Sequence, residues 1–263
     1  MTLEPVNSVK PVAPYIGGKR ALSKTLVDQI AAVDHELYAE PFVGMGGVFF
    51  RRKHRPRAEV INDISKDVVL LFRWLQRHYQ QVLDMLKWQI CWHEDFDRLL
   101  ATDVATLTEL ERVARFLFLQ RTSFGGQVAK RNFGLSRSTP ARFDLTKLVP
   151  MLEDVHERLS SVVIENLQYE TFINRYDAEK TLYYIDPSYF GSEGDYGSGV
   201  FAREDFANLA DLLSRIKGRF IMSLNDRPET RALFAAFHIE SVTLNYRISG
   251  KVMPAKEIII SNI

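Results

Sequence analysis

Short apolar runs alternate with stretches of helical spacing along most of this chain. The continuous apolar runs are residues 36–42, 58–63, 161–167, 181–186 and 219–225. Such runs are typical of strands buried on both faces, as in a parallel sheet. Two further runs, 238–246 and 257–263, close the chain and predict a pair of antiparallel strands. The pattern therefore predicts an α/β fold with an open, mostly parallel sheet and an antiparallel C-terminal strand.

Residues 66–160 interrupt this alternation. Long helical patterns fill most of 67–120, and residues 122–143 then show no periodicity and are rich in Gly, Ser, Arg and aromatic residues. A long aperiodic segment of this composition is typical of a functional loop. We expect residues 1–65 and 161–263 to form one α/β domain and 66–160 to be a helical insertion that carries the loop.

Composition limits the functional classes. The single cysteine, Cys91, excludes an internal disulfide and indicates a reducing compartment. The N-terminal residues lack the pattern of a signal peptide, and no apolar run reaches the roughly 18 residues of a membrane span. We therefore expect a cytoplasmic protein without membrane contact. The six histidines show no ligand spacing, so no metal is expected.

Net charge is only +1, but basic residues are unevenly distributed. Between Arg112 and Lys147 there are eight basic residues and one acid, Asp144. This segment is either a phosphate-contacting face or a solvated surface. The basic run at 51–57 is predicted to be the solvated end of a helix and a connecting loop.

A glycine-rich turn follows the first predicted strand, in EPFVGMGGVFF (40–50), and is expected to open a helix. In open α/β sheets, ligands bind beyond the carboxyl ends of the strands, where glycines let the backbone approach them. Asp63 ends the next strand, 19 residues after Gly44. In a nucleoside site, an acid at this place accepts hydrogen bonds from both hydroxyls of the ribose. The alternative is a tight turn and a solvated aspartate. Phe49 replaces the third glycine of a dinucleotide fingerprint, which weakens a dehydrogenase interpretation.

The stretch YYIDPSYF (183–190) combines groups that suit an amine attached to a heteroaromatic ring. Asp186 follows a buried strand, so its carboxylate should emerge at the ligand-binding edge. Pro187 fixes its own φ and donates no hydrogen bond, which leaves rigid carbonyls directed outward. Tyr189 offers a ring on which a base can stack. Two acceptors would localise the amine's lone pair and direct it at an electrophile; the alternative is a strand end capped by an Asp-Pro turn.

Taken together, YIGGK, EPFVGMGGVF, VINDIS and YYIDPSYF resemble, in this order, the motifs of Dam-type DNA adenine methyltransferases. By itself, the region around YIGGK predicts only a turn and a helix start. The family uses S-adenosylmethionine and carries a DPPY motif. The resemblance implies a Rossmann-like methyltransferase sheet with a target-recognition insertion, and methyl transfer to the N6 amine of an adenine flipped out of DNA. We expect DNA as the partner and a monomer or weak dimer.

The resemblance also implies roles for individual residues. Those expected at the cofactor are Tyr15, Lys19, Phe42, Gly44, Asp63 and Asp186. Asp186 and the Pro187 carbonyl would accept hydrogen bonds from the target amine, and Tyr189 would stack on the flipped adenine.

The segment 121–143 occupies the place of the family's DNA-reading hairpin, although its sequence matches poorly. Arg121, Lys130 and Arg131 are the DNA-contacting candidates.

Ser188 stands where the family has its second proline. Because Asp186, Pro187 and Tyr189 are retained, we expect activity, with a less rigid loop and a reduced rate or altered specificity. The remaining alternatives are an amino-methyltransferase acting on cytosine or on RNA adenine, and a catalytically impaired relative that binds DNA.

Overall fold

The computed structural model describes residues 3–134, 140–197, 200–248 and 251–263. The helices are α1 Ser23–Ala32, α2 Lys66–Arg77, α3 Tyr79–Leu86, α4 His93–Ala101, α5 Glu109–Thr122, α6 Leu145–Leu159, α7 Tyr169–Tyr176, α8 Asp205–Leu213 and α9 Pro228–Leu233. The strands are β1 Glu4–Pro5, β2 Leu37–Glu40, β3 His54–Arg55, β4 Ala58–Asn62, β5 Val163–Glu165, β6 Thr181–Ile185, β7 Arg219–Asn225, β8 His238–Ile248 and β9 Lys251–Ser261.

The main sheet of the described residues has the strand order β5-β4-β2-β6-β7-β9-β8. Strands β5, β4, β2, β6 and β7 are parallel, and β9 pairs antiparallel with both β7 and β8. The predicted α/β fold with a mostly parallel sheet and an antiparallel C-terminal end is therefore confirmed. The chain leaves β2 towards β4 on one side and later returns to β6 on the other. This reversal makes the gap between the ends of β2 and β6 a topological switch point, where open α/β sheets bind ligands.

Both faces of the central strands are covered, as the continuous apolar runs predict. In β6, Leu182 and Tyr184 belong to one apolar cluster, whereas Tyr183 and Ile185 belong to a second cluster on the opposite face. The first cluster includes the buried faces of α1, α2, α5 and α6, and the second includes those of α7 and α8. Burying a large apolar side chain contributes about 1.5–3 kcal/mol, so these two clusters hold the helices against the sheet.

The long helical pattern over 67–90 is divided into α2 and α3. The break falls at His78, whose backbone is non-helical with φ −133° and ψ 36°. Helix α5 begins with a capping box, because the Thr108 hydroxyl accepts from the Glu111 N–H and the Glu111 carboxylate accepts from the Thr108 N–H. In chain order, α2 to α6 all lie between β4 and β5.

The prediction of a helix after the glycine turn is wrong. That segment forms only a 3-10 turn, Phe49–Arg51, before the chain enters β3. The prediction that the whole basic run 51–57 is solvated is also wrong, because Arg52 is only 1% exposed. Its guanidinium donates a hydrogen bond to the Glu59 carboxylate, which is itself buried.

Glu59 pairs with a second buried cation on α6. Arg158 donates two hydrogen bonds to its carboxylate, with N–O distances of 2.6 and 2.7 Å. The Arg52 guanidinium lies 3.5 Å from the Tyr38 ring centroid and that of Arg158 lies 4.2 Å from the Phe49 centroid. We call Arg52, Glu59 and Arg158 the buried charge triad. It connects the helical insertion to β4.

Within the described ranges, no helix combines the length and apolar character that crossing a bilayer requires. The same ranges hold no group of three or more His, Cys, Asp or Glu residues able to bind a metal ion.

Candidate active site

A cavity of about 680 Å³ opens at the carboxyl ends of β2, β4 and β6. It coincides with the switch point of the sheet. The residues that the family resemblance assigns to the cofactor all line it: Tyr15, Lys19, Phe42, Gly44, Asp63 and Asp186. Ser188 also lines the cavity, while Pro187 beside it is buried and Tyr189 is partly exposed.

The glycine turn joins motifs that are far apart in the sequence. Gly44 has a φ of +50°, in the left-handed region, and its N–H donates to Asp63 Oδ2 at 2.8 Å. A Cβ atom at this position would lie 3.1 Å from two carbons of the Tyr15 ring. Glycine therefore allows both the turn and the close approach of Tyr15, so the first three motifs meet on one wall of the cavity.

Asp63 is held by the backbone on both sides. Its Oδ2 accepts from Gly44 and its Oδ1 accepts from the Ser65 N–H, also at 2.8 Å. Burial raises the pKa of the Asp63 carboxyl to about 6, although both backbone hydrogen bonds favour the ionised form. A carboxylate oxygen can accept more than one hydrogen bond, so this fixed acid retains acceptor capacity for ligand hydroxyls.

Asp186 directly follows β6 and is contacted on one oxygen. Lys19 Nζ lies 2.7 Å from Asp186 Oδ1, and the Ser223 hydroxyl donates to the same oxygen at 3.2 Å. Tyr184 and Ser223 share a hydrogen bond of 2.8 Å, which completes a chain from the core to the carboxylate. Burial raises the pKa of the Asp186 carboxyl above its usual value, and the neighbouring Lys19 ammonium works in the opposite direction.

Lys19 lies between the acid and the aromatic ring of the same motif. Its side chain is 2% exposed, and its ammonium donates to the Gly17 carbonyl at 3.1 Å. The same ammonium is 4.4 Å from the centroid of the Tyr189 ring. In this structure Lys19 therefore contacts both Asp186 and Tyr189 directly, in addition to lining the cavity.

The cavity contains two groups that the sequence did not single out. Glu40, at the end of β2, accepts a hydrogen bond of 2.5 Å from the Tyr38 hydroxyl, and burial raises the pKa of its carboxyl to about 8. Its position as an acid at a strand end was the available signal. Tyr196 lies 5.7 Å from Tyr15 between ring centroids and donates to the Ile16 carbonyl at 2.8 Å. No sequence pattern marks Tyr196.

The DNA-contacting candidates occupy different environments. Arg121 donates to the carbonyls of Val12 and Arg142, at 2.5 and 3.2 Å. Arg131 donates to Gln120 Oε1 at 2.9 Å, whereas Lys130 is exposed. The structure therefore engages two of these three side chains in intramolecular hydrogen bonds. Part of the predicted DNA-reading segment, residues 135–139, lies outside the described residues.

An open α/β sheet with a ligand cavity at its switch point, a glycine turn and an acid after the next strand is the arrangement of Rossmann-like folds that bind nucleotides. The family model for D12 class N6 adenine-specific DNA methyltransferases matches residues 15–248. The chain belongs to this family, which confirms the resemblance seen in its motifs.

Individual relatives are distant but similar over nearly their full length. The chain is 22% identical to the type II methyltransferase M.CviBI of Paramecium bursaria Chlorella virus NC1A, over 93% of this chain and 95% of the relative. It is 24% identical to the type II methyltransferase M1.LlaDCHI of Lactococcus lactis subsp. cremoris, over 97% of this chain and 96% of the relative. Among solved structures, the precorrin 8W decarboxylase of Methanobacterium thermoautotrophicum superposes with a TM-score of 0.42 and 10% identity, covering 97% and 96% of the two chains.

The chain is therefore an adenine-specific DNA methyltransferase, DNA is its substrate, and S-adenosylmethionine is its methyl donor. The cavity suits such a donor. Its volume is within the range of small-molecule sites, and it presents a fixed acid, a glycine turn and aromatic rings on its walls.

Proposed function

We propose that Asp186, Pro187 and Tyr189 act on the adenine amine, in the roles that the family motif implies. The main observation in support is the geometry of Asp186. In the described part of the chain, Lys19 and Ser223 both contact Oδ1, so Oδ2 is available to accept a hydrogen bond from the amine. The Pro187 carbonyl accepts a hydrogen bond from the second N–H of the amine, and the amine's lone pair is thereby localised. Stacking on Tyr189 offsets part of the few kcal/mol that base flipping costs.

The cofactor residues act by binding and positioning. We propose that Asp63 accepts hydrogen bonds from the cofactor ribose, that Gly44 allows close approach of the backbone, and that Tyr15 and Phe42 contact the cofactor with their rings. Lys19 contributes through its position beside Asp186. Bound S-adenosylmethionine supplies an electrophilic methyl group on its sulfonium. Holding the amine in line with that methyl accounts for much of the acceleration, because positioned reactants no longer need to meet by diffusion.

The decisive experiment is transfer of labelled methyl from S-adenosylmethionine to unmethylated DNA, followed by digestion and identification of the labelled nucleoside. We expect N6-methyladenine, and mapping of the modified positions would define the recognition sequence. Label in N4-methylcytosine, or transfer only to RNA, would instead support the other amino-methyltransferase interpretations. Cofactor binding without transfer to either nucleic acid would support a catalytically impaired DNA-binding relative.

The affinity for S-adenosylmethionine is expected to fall as the pH is lowered through 6. The pKa of Asp63 is raised to about 6, so below this pH the carboxyl gains a proton and loses both its charge and an acceptor. A single proton that competes with the ligand lowers affinity by up to about tenfold per pH unit. Titration calorimetry between pH 5 and 7 measures the effect.

Asp63→Asn provides the control for that titration. The amide does not ionise, so this variant should bind weakly and without the pH dependence. Asp186 and Glu40 line the same cavity and also have raised pKa values, so a slope that persists in Asp63→Asn would assign the effect to one of these acids instead of Asp63. A wild-type affinity that stays constant over this range would contradict the proposed role of Asp63.

We also propose which part of the chain carries out which function. Residues 1–65 and 161–263 form the catalytic domain, and 66–160 form the insertion that reads DNA. Within the insertion, exposed Lys130 is the strongest candidate for a phosphate contact, because Arg121 and Arg131 already donate to protein acceptors. We further propose a cytoplasmic enzyme, monomeric or weakly dimeric. The type II names of the relatives support a place in a restriction–modification system.

A further inference from the structure

The hydroxyl of Tyr189 is bound by an acid from the C-terminal strand. It donates to Glu257 Oε1 at 2.5 Å, and Glu257 is only 1% exposed. A hydrogen bond to a buried carboxylate is stronger than one between neutral groups and fixes the direction of the donor. The Tyr189 ring is thus held at its outer end by a side chain 68 positions later in the sequence.

The residue after Tyr189 is held by the neighbouring strand. Asn225 Oδ1 accepts from the Phe190 N–H at 3.0 Å, and Asn225 Nδ2 donates to the Phe190 carbonyl at 2.9 Å. The two bonds fix both backbone polar groups of Phe190. Asn225 and Glu257 are register partners across the antiparallel β7–β9 ladder, so both contacts arise from one point of the sheet.

We propose that Asn225 and Glu257 are positioning residues for Tyr189, and we call the pair the β7–β9 clamp. The clamp sets the orientation of the stacking ring relative to Asp186. Asn225 fixes the backbone on the C-terminal side of Tyr189, and Glu257 fixes the tip of its side chain. The inference rests on the proposed role of Tyr189 as the platform for the flipped adenine.

The clamp also bears on Ser188. A proline at this position would restrict the backbone directly before Tyr189, whereas serine leaves its φ less restricted. In this chain, the loop is held from the other side by three hydrogen bonds to Asn225 and Glu257. The clamp therefore supplies orientation that the family's second proline would otherwise contribute, and we expect Ser188→Pro to raise kcat less than twofold.

The test compares clamp variants by kcat, by KM for S-adenosylmethionine and by calorimetric affinity for the cofactor. We expect kcat to fall about tenfold in each of Asn225→Ala, Glu257→Ala and Tyr189→Phe, which is the size of effect typical of breaking one contact in a coupled hydrogen-bond network. Cofactor affinity should remain unchanged. Glu257→Gln should be milder because its amide oxygen can still accept from the tyrosine. Tyr189→Phe keeps the ring and removes only the hydroxyl, so it tests the contact even if Glu257→Ala folds poorly.

Asn262→Ala is the matched control for Asn225→Ala. Asn262 makes the same pair of side-chain to backbone bonds, accepting from the Phe220 N–H at 2.8 Å and donating to the Gly218 carbonyl at 3.0 Å. It does so at the opposite end of β7. We expect this variant to lose a similar amount of stability while its kcat remains that of the wild type.

A double-mutant cycle separates positioning from general stabilisation. In a Tyr189→Ala background, Glu257→Ala should have no further effect on kcat, since the side chain through which it acts is gone. Equal losses of kcat in both backgrounds, or a normal kcat in Tyr189→Phe and Asn225→Ala, would overturn the clamp. In that case, methyl transfer by the wild-type protein would still support the proposed function. A wild-type protein that transfers no methyl to DNA would overturn the proposed function, and the clamp with it.

Discussion

Asp186→Asn is expected to lower the rate of methyl transfer about 10²–10³-fold, the loss typical of removing one preorganised hydrogen-bonding group from an active site. The asparagine oxygen can keep accepting from Lys19 and Ser223, which both contact Oδ1 of the native acid. Its NH₂ group then occupies the position of Oδ2 and presents donors to the target amine. The variant should therefore fold and bind cofactor but fail to localise the amine's lone pair.

Asparagine is preferable to alanine for this experiment. Lys19 is 2% exposed and ion-paired with Asp186, so Asp186→Ala would leave its buried ammonium without a counter-charge and without an acceptor at this position, whereas asparagine removes the charge but keeps an acceptor oxygen. Leaving one member of a buried pair uncompensated costs about 3–5 kcal/mol, and the loss of activity would be mixed with unfolding. Alanine at position 186 is therefore expected to destabilise the fold as well as to remove the carboxylate.

The measurement is single-turnover methyl transfer to DNA, accompanied by cofactor affinity and thermal unfolding. Asp226→Asn is a matched control, because Asp226 follows the adjacent strand β7 and is ion-paired with Arg231 instead of contributing to the cavity wall. It should retain the wild-type rate. A near-normal rate in Asp186→Asn would contradict the role of this carboxylate in the reaction.

The residues that could be predicted are those whose position follows from topology alone. Gly44, Asp63 and Asp186 each follow a predicted strand, and the carboxyl ends of parallel strands meet at one edge of a sheet. Their convergence on one cavity therefore required only the strand pattern and the order of the motifs. Tyr15 precedes the first strand, and its position in the cavity was accessible only through the family resemblance.

The remaining contacts depend on packing between distant segments. Glu257 lies within an apolar run that predicts a strand, but nothing in that run indicates that the register of β9 brings it to Tyr189. Tyr196 lies in a segment without periodicity. Arg52 lies in a basic run, which predicts a solvated side chain, whereas its burial is explained by its contacts with the Glu59 carboxylate and the Tyr38 ring. Local patterns predict elements, whereas these side-chain partners are set by the tertiary fold.

Glu59→Ala is expected to lower the free energy of unfolding by about 3–5 kcal/mol. The buried charge triad contains two guanidinium groups and one carboxylate, all at most 5% exposed as residues. Removal of Glu59 leaves both cations buried without a counter-charge. Since a domain is stable by about 5–15 kcal/mol in total, this loss should be a large fraction of the stability of the protein. Urea unfolding at neutral pH, monitored by tryptophan fluorescence, measures it.

Arg52→Met provides the comparison that identifies charge as the cause. This substitution removes one of the two cations and leaves the two hydrogen bonds between Arg158 and Glu59 in place. Methionine can also fill much of the space over the Tyr38 ring. We expect it to cost about 1 kcal/mol or less, because a well-packed apolar replacement of a buried charge is often neutral. An equal loss in Arg52→Met and Glu59→Ala would show that packing against Tyr38 and Phe49, rather than neutralisation by Glu59, is what the triad contributes to stability.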